Sequence, residues 1–153
     1  MQQEFRCNCP FTSALDVLGD KWILVIVKQM LVEGKETFKD FMESEEAIAT
    51  NILSAKLKIL EELGIVSKVK RPNNKKTNLY LLTEKGLALT PVLVALASWS
   101  DGYLRDIHPN LVNGESMELL RKDSAAFAQT LEKKYREKLA STLYEGKSGR
   151  SVG

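Results

Sequence analysis

The most reactive side chains among the 153 residues are two thiols, Cys7 and Cys9, and a single imidazole, His108. A zinc centre takes about four ligands, more than these side chains supply, so no metal is expected. His108 is followed by Pro109, and the chain offers neither a Gly-rich phosphate loop nor a nucleophile elbow. Neither catalysis nor a cofactor site is therefore expected. A sensing thiol must be held as thiolate beside basic groups, for which Arg6 and Lys21 are the candidates. Another chemistry is better supplied. Thr50, Asn51 and Ser54 carry short hydrogen-bonding side chains, and Lys58, Arg71, Asn74, Lys75 and Lys76 follow them. Hydroxyls and amides suit base edges, an amide pairing with adenine N6 and N7, whereas lysine and arginine suit phosphate.

These side chains need elements to hold them. The run from Lys21 to Leu31 is apolar almost all round and too long for a typical strand, which predicts a buried central helix ending near Gly34. A short amphipathic segment follows at residues 37–42. From Ile48 to Gly64 a second amphipathic helix carries Leu53, Leu57 and Leu60 on one stripe, widened by Ile52, Ile59 and Leu63, with Gly64 as its stop. Its opposite face holds Thr50, Asn51, Ser54, Ala55 and Lys58. Ile65 to Lys70 and Thr77 to Leu82 then read as two strands around a basic, polar tip. Helix, helix and hairpin in this order predict a winged helix-turn-helix, mainly α with a small β-hairpin wing.

Further on, Thr83 is a candidate N-cap, and apolar residues recur at three and four from Leu87 to Ile107, with Pro91 as a kink or restart. A break spans His108 to Gly114. One last helix is expected from about Ser116 to Tyr144, then a disordered tail.

With 44% hydrophobic and 27% charged residues the chain has a globular composition, which excludes fibrous and wholly disordered classes. The net charge of +2 names no partner by itself. Resolved by segment it is uneven: residues 47–82 carry seven basic residues against Glu61 and Glu62, a local +5, whereas residues 33–46 stand at −4. A positive concentration on the second helix and hairpin is the footprint of a phosphate-binding surface. The longest apolar runs, Trp22 to Val27 and Pro91 to Ala97, are far below the roughly 20 residues that cross a bilayer. A soluble cytoplasmic protein with reduced thiols is expected.

The sequence resembles the HxlR-type winged helix-turn-helix transcriptional regulators, relatives of the MarR group. The likeness spans Cys9 to about Tyr103. It rests on Cys9-Pro10, on Leu15-Asp16-Val17-Leu18-Gly19-Asp20-Lys21-Trp22, and on Phe38-Lys39-Asp40-Phe41. Leu60-Glu61-Glu62-Leu63-Gly64-Ile65-Val66 and Tyr80-Leu81-Leu82-Thr83-Glu84-Lys85-Gly86 continue it, with Pro91 and Trp99 beyond. Thr37 stands where the family commonly has Arg, and Ala49 where Ser often opens the recognition helix. The wing lacks the usual Pro-Pro-x-Val-Glu run before Tyr80. The resemblance implies a homodimeric DNA-binding repressor or activator, dimerised through its terminal helices. It also makes Cys9, with Cys7 beside it, a candidate redox sensor, since some members respond to oxidants or electrophiles through a Cys before Pro.

The expected organisation is an arm with a short helix at 1–20, a winged helix-turn-helix domain with its following long helix at 21–107, a further dimerisation helix at 115–144 and the tail at 145–153. Residues 49–63 would enter the major groove, with the wing at 68–78 on the backbone or minor groove of double-stranded DNA. Two half-sites, one per protomer, suit so small a reading head. Trp99, Tyr103, Phe127, Leu131 and Tyr135 form apolar stripes outside the winged core, either a dimer interface or a helix folded back on its own domain. Trp22 and Trp99 line a pocket for a small-molecule effector or belong to the core. The competing class is a winged-helix module that binds protein rather than DNA.

Overall fold

The computed structural model describes residues 3–148. Among the described residues, eight helices and one hairpin follow in the order α1 Pro10–Leu18, α2 Ile23–Glu33, α3 Phe38–Met42, α4 Thr50–Glu62, β1 Val66–Arg71, β2 Asn74–Leu82, α5 Glu84–Leu87, α6 Thr90–Tyr103, α7 Glu115–Lys122 and α8 Ser124–Ser148. Among the described residues no helix is long and apolar enough to cross a membrane.

Helix α2 is the central post. Ile23, Ile26, Val27, Met30 and Leu31 are buried around it. Its cluster takes in Phe41 of α3, Leu53, Leu57 and Leu60 of α4, and Val66 and Leu82 of the hairpin. Each fully buried leucine contributes about 1.5–3 kcal/mol, so the stripe of α4 holds that helix to the post. The end of α4 is a Schellman motif. Gly64 takes φ 71°, and the amides of Gly64 and Ile65 return to the carbonyls of Glu61 and Leu60 at 3.1 and 3.0 Å.

β1 and β2 pair antiparallel, Val66 opposite Leu82 and Lys70 opposite Asn78, with an irregularity between Lys70 and Arg71 before Arg71 meets Asn74. Three residues of β2, Lys75, Lys76 and Thr77, thus lie opposite a single joint of β1. The strands therefore run further into the basic segment than the predicted ends at Lys70 and Thr77, leaving Pro72 and Asn73 as the turn. Thr83 caps α5, its hydroxyl accepting from the Gly86 amide at 3.2 Å. Gly86 is required there by close approach, since a Cβ would lie 2.4 Å from the Ile65 carbonyl. Pro91 falls in the first turn of α6 and starts that helix without kinking it.

The single last helix expected at 115–144 is instead two. Asp123 leaves helical geometry with φ −155° and ψ 90°, and its carboxylate accepts from the Ala126 amide at 3.0 Å. It thereby ends α7 and caps α8. Of the tail expected at 145–153, residues 145–148 continue α8 and residues 149–153 lie outside the described residues.

Candidate nucleic-acid interface

The apolar stripe of α4 faces the core, so its reverse side must face out. Thr50, Asn51, Ser54, Ala55 and Lys58 are all exposed. Thr50 has one weak internal partner, its hydroxyl pointing at the Met42 sulfur at 3.6 Å. Among the described residues, the side chains of Asn51, Ser54 and Lys58 make no hydrogen bond or ion pair within the chain. The N-terminal turn of α4 presents free donors and acceptors, as a base-reading helix requires.

The basic residues near this face divide into two sets. Lys56 is held by Asp20 at 2.6 Å, and Lys68 lies 3.9 Å from Glu61. Lys58, Lys70, Arg71, Lys75 and Lys76 are exposed and have no ion-pair partner among the described residues. Asn74, a candidate contact, has a local use: its side-chain oxygen accepts from the Lys76 amide at 3.1 Å and folds the wing tip that carries Lys75 and Lys76. Thr37, in the place of the family's Arg, caps α3 in a capping box with Asp40.

Cys9 is the N-cap residue of α1, with Pro10 opening the helix, and both cysteines are free thiols. The backbone amide of Thr12, then its hydroxyl and the amide of Phe11, hold the Cys9 thiol below its usual pKa, against a small desolvation in the other direction. No side-chain cap hydrogen bond is closed, so these groups act as oriented dipoles at a helix N-terminus. The basic candidates are engaged elsewhere. Arg6 is paired with Asp16, and the Lys21 ammonium sits 5.1 Å from the Trp22 ring centre. The signal that locates the true cause was Cys9-Pro10 itself, since a Pro at the first helical position makes its predecessor the cap.

The five residues expected at a dimer interface separate. Trp99 and Tyr103 are 57% and 73% exposed and stack at 5.9 Å on the outer side of α6. With Val92 and Leu96 they form an exposed stripe on α6, and Phe11 and Leu15 of α1 are exposed apolar residues too. Tyr135 is corrected to a core residue: it is 6% exposed, and its hydroxyl accepts from the Leu82 amide at 2.7 Å. Leu131 packs on the main cluster, and Phe127 and Leu131 pack with Val94, Leu120 and Ala128. Helix α8 thus folds back on its own domain. Lys138 bonds the Gly34 carbonyl, and Arg136 pairs with Glu84. Trp22 packs partly buried against the main core while Trp99 is exposed, so the two do not close a shared pocket.

A helix, a turn, a second helix with a free polar face and a basic hairpin define a winged helix-turn-helix protein. Residues 17–108 match the HxlR-like helix-turn-helix family, and the chain belongs to that family of transcriptional regulators. It is 33% identical over 97 residues to the HTH-type transcriptional regulator YvaP of Bacillus subtilis, spanning 63% of this chain and 89% of that one. It is also 34% identical over 96 residues to the HTH-type transcriptional regulator YodB of the same organism, across 62% and 85% of the two chains. Among solved structures, the reduced form of YodB superposes with a TM-score of 0.53 at 33% identity, covering 63% of this chain and 95% of that one. The redox regulator HypR in its reduced form superposes with a TM-score of 0.56 at 27% identity, covering 66% and 99%. Helices α7 and α8 lie beyond the residues that match the family.

Proposed function

We propose that this regulator binds double-stranded DNA sequence-specifically as a homodimer, reading two half-sites about one helical turn apart. The observation that carries the reading is the exposed N-terminal face of α4, whose side chains have almost no internal role, next in the chain to a wing with unpaired cations. Thr50, Asn51 and Ser54 meet base edges in the major groove. Lys58, Arg71, Lys75 and Lys76 meet phosphate or the minor groove, with Asn74 shaping the tip. The second protomer covers the stripe of Val92, Leu96, Trp99 and Tyr103 together with α1. Retardation of the chain's own upstream DNA in a gel, against an unrelated duplex at two salt concentrations, tests this. Selective, salt-sensitive retardation of the upstream fragment is expected. Equal or absent retardation of both would favour the protein-binding module. A monomer in micromolar sedimentation would remove the dimer.

A thiol response is favoured by a separate observation, the placement of the free thiol Cys9 as the N-cap residue of α1. The structural likeness to a redox regulator, HypR, supports it. Diamide treatment is expected to weaken binding of the upstream fragment, with the Cys9→Ser protein indifferent to it. Unchanged affinity of the native chain after diamide would sink the idea.

A further inference from the structure

The segment between α3 and α4 is anchored from outside itself. Helix α4 opens at Ala49, which supplies no side-chain cap. No side chain at that position therefore fixes where the helix begins. Ser44 is buried and closes the segment locally, its hydroxyl donating to the Phe41 carbonyl at 2.7 Å and its own carbonyl accepting from Ala47 at 3.1 Å. Ala47 takes φ 53°, a left-handed conformation that an alanine adopts only when its surroundings impose it. Ile48 is buried in the main cluster. Glu46, the residue before Ala47, is tied to the central helix. One carboxylate oxygen accepts from the Lys28 ammonium, and the other accepts from the Gln29 side-chain amide at 2.8 Å. Lys28 is steadied in turn by Glu33 at 3.0 Å.

Gln29 shows how strongly this geometry is specified. Its side chain is 1% exposed on the central helix, and its Oε1 has no hydrogen-bond partner among the described residues. An orphaned buried oxygen is costly, and it persists where the other end of the amide is committed to a charge-assisted bond. Desolvation opposes the charge on Glu46, and the bonds from Lys28 and Gln29 outweigh it, leaving the carboxyl below its ordinary pKa.

We propose that Glu46, clamped by Lys28 and Gln29, is the positioning residue of the recognition helix, fixing the N-terminus of α4 to the central post so that Thr50, Asn51 and Ser54 meet bases in register. The proposal rests on the DNA reading above. It makes a prediction opposite in sign to simple electrostatics. Removing an acid close to a DNA-binding face should tighten binding to every duplex, whereas loss of the clamp should loosen binding to the specific one.

The experiment compares the native chain with Glu46→Ala and Glu46→Gln. Glu46→Gln keeps an oxygen for the Lys28 ammonium and an amide facing the Gln29 side chain, and it places no charge on the buried position 29. Affinity is measured for the upstream fragment and for an unrelated duplex of equal length. Glu46→Ala is expected to lower the ratio of specific to non-specific affinity by about tenfold, the scale of one lost charge-assisted bond. Glu46→Gln, which retains hydrogen-bonding partners for Lys28 and Gln29, stays within about threefold of native. In amide hydrogen exchange without DNA, residues 43–54 exchange faster in Glu46→Ala and regain protection in Glu46→Gln. A native ratio and native exchange in Glu46→Ala would overturn the clamp. So would a Glu46→Gln chain with native thermal stability and native exchange but the specificity ratio of Glu46→Ala, since that separates the ratio from the clamp. If the native chain itself does not discriminate between the duplexes, the DNA reading fails, while the exchange pattern still decides whether Glu46 holds the turn.

Discussion

The proposed reading face and the two C-terminal helices are both rich in charge and hydrogen-bonding groups, and they differ in where those groups find partners. On α4 and the wing, Asn51, Ser54, Lys58, Lys70, Arg71, Lys75 and Lys76 end in solvent. On α7 and α8, Arg121 meets Asp101, Arg136 meets Glu84, Lys138 meets Glu36 and Gly34, and the Tyr135 hydroxyl meets Leu82. A side chain with an internal partner has already exchanged its water for protein. One without a partner keeps full capacity for an external ligand, and exposed single charges add little to folding. The contrast separates the surface proposed to bind DNA from helices whose polar groups are taken up within the chain.

The C-terminal helices should show the largest effect. Tyr135→Ala removes a ring from the main core and is expected to lower unfolding free energy by about 3–5 kcal/mol in urea titration. Tyr135→Phe keeps the ring but leaves the Leu82 amide unpaired, for about 1–3 kcal/mol. Near-native stability in Tyr135→Ala would mean that α8 does not pack on the winged core in solution.

Asn51→Ala gives the reverse pattern. Stability should stay within about 0.5 kcal/mol of native, as for an exposed site without partners. Binding to the upstream fragment should weaken by about 1–3 kcal/mol, and discrimination at one base pair should relax. An equal loss on an unrelated duplex would place Asn51 on the backbone.

Smaller again is the wing. Arg71→Ala or Lys76→Ala should weaken binding alike on all sequences and reduce the dependence of log affinity on log salt by about one. An unchanged slope would remove the tip from the contact surface and leave α4 as the whole interface.

Much of this division is legible in the residue order. The three-and-four recurrence of Leu53, Leu57 and Leu60 fixes which side of α4 is buried, hence which side is free, and Gly64 fixes its end. Local rules suffice because caps and stripes act within a turn or two. The partner of a stripe is not local. Leu131 and Tyr135 signal burial equally well whether a second protomer or their own domain covers them, and only the path of the chain at Asp123 decides. That turn had a signal, an acid immediately before Ser124 and three residues before an alanine amide, which competes with an otherwise continuous helical pattern. The ties of Lys56 to Asp20 and of Glu46 to Gln29 join positions far apart in sequence, and no spacing rule reaches them.

The subtlest test lies in the acid limb of stability. Asp101 accepts from Arg121 and from Arg105, and Arg105 also bonds the carbonyls of Leu111 and Val112 at 3.1 and 2.9 Å, tying the 104–114 segment to α6 and α7. The Arg121 guanidinium, then that of Arg105, hold the Asp101 carboxyl far below the ordinary carboxylate range. A carboxyl with a lowered folded pKa contributes stability that is present above its unfolded value of about 3.9 and fades as pH falls below that towards the folded value. Asp101→Asn should therefore be less stable than native at neutral pH, with the gap narrowing below about pH 4, because only the native chain loses this contribution there. High salt should shrink the gap at every pH, since the pair lies near the surface. Urea midpoints of both chains across that window provide the check. Parallel curves down to about pH 2 would show that the ion pair contributes nothing that titrates, and that α7 is held by Leu120 and its apolar neighbours alone.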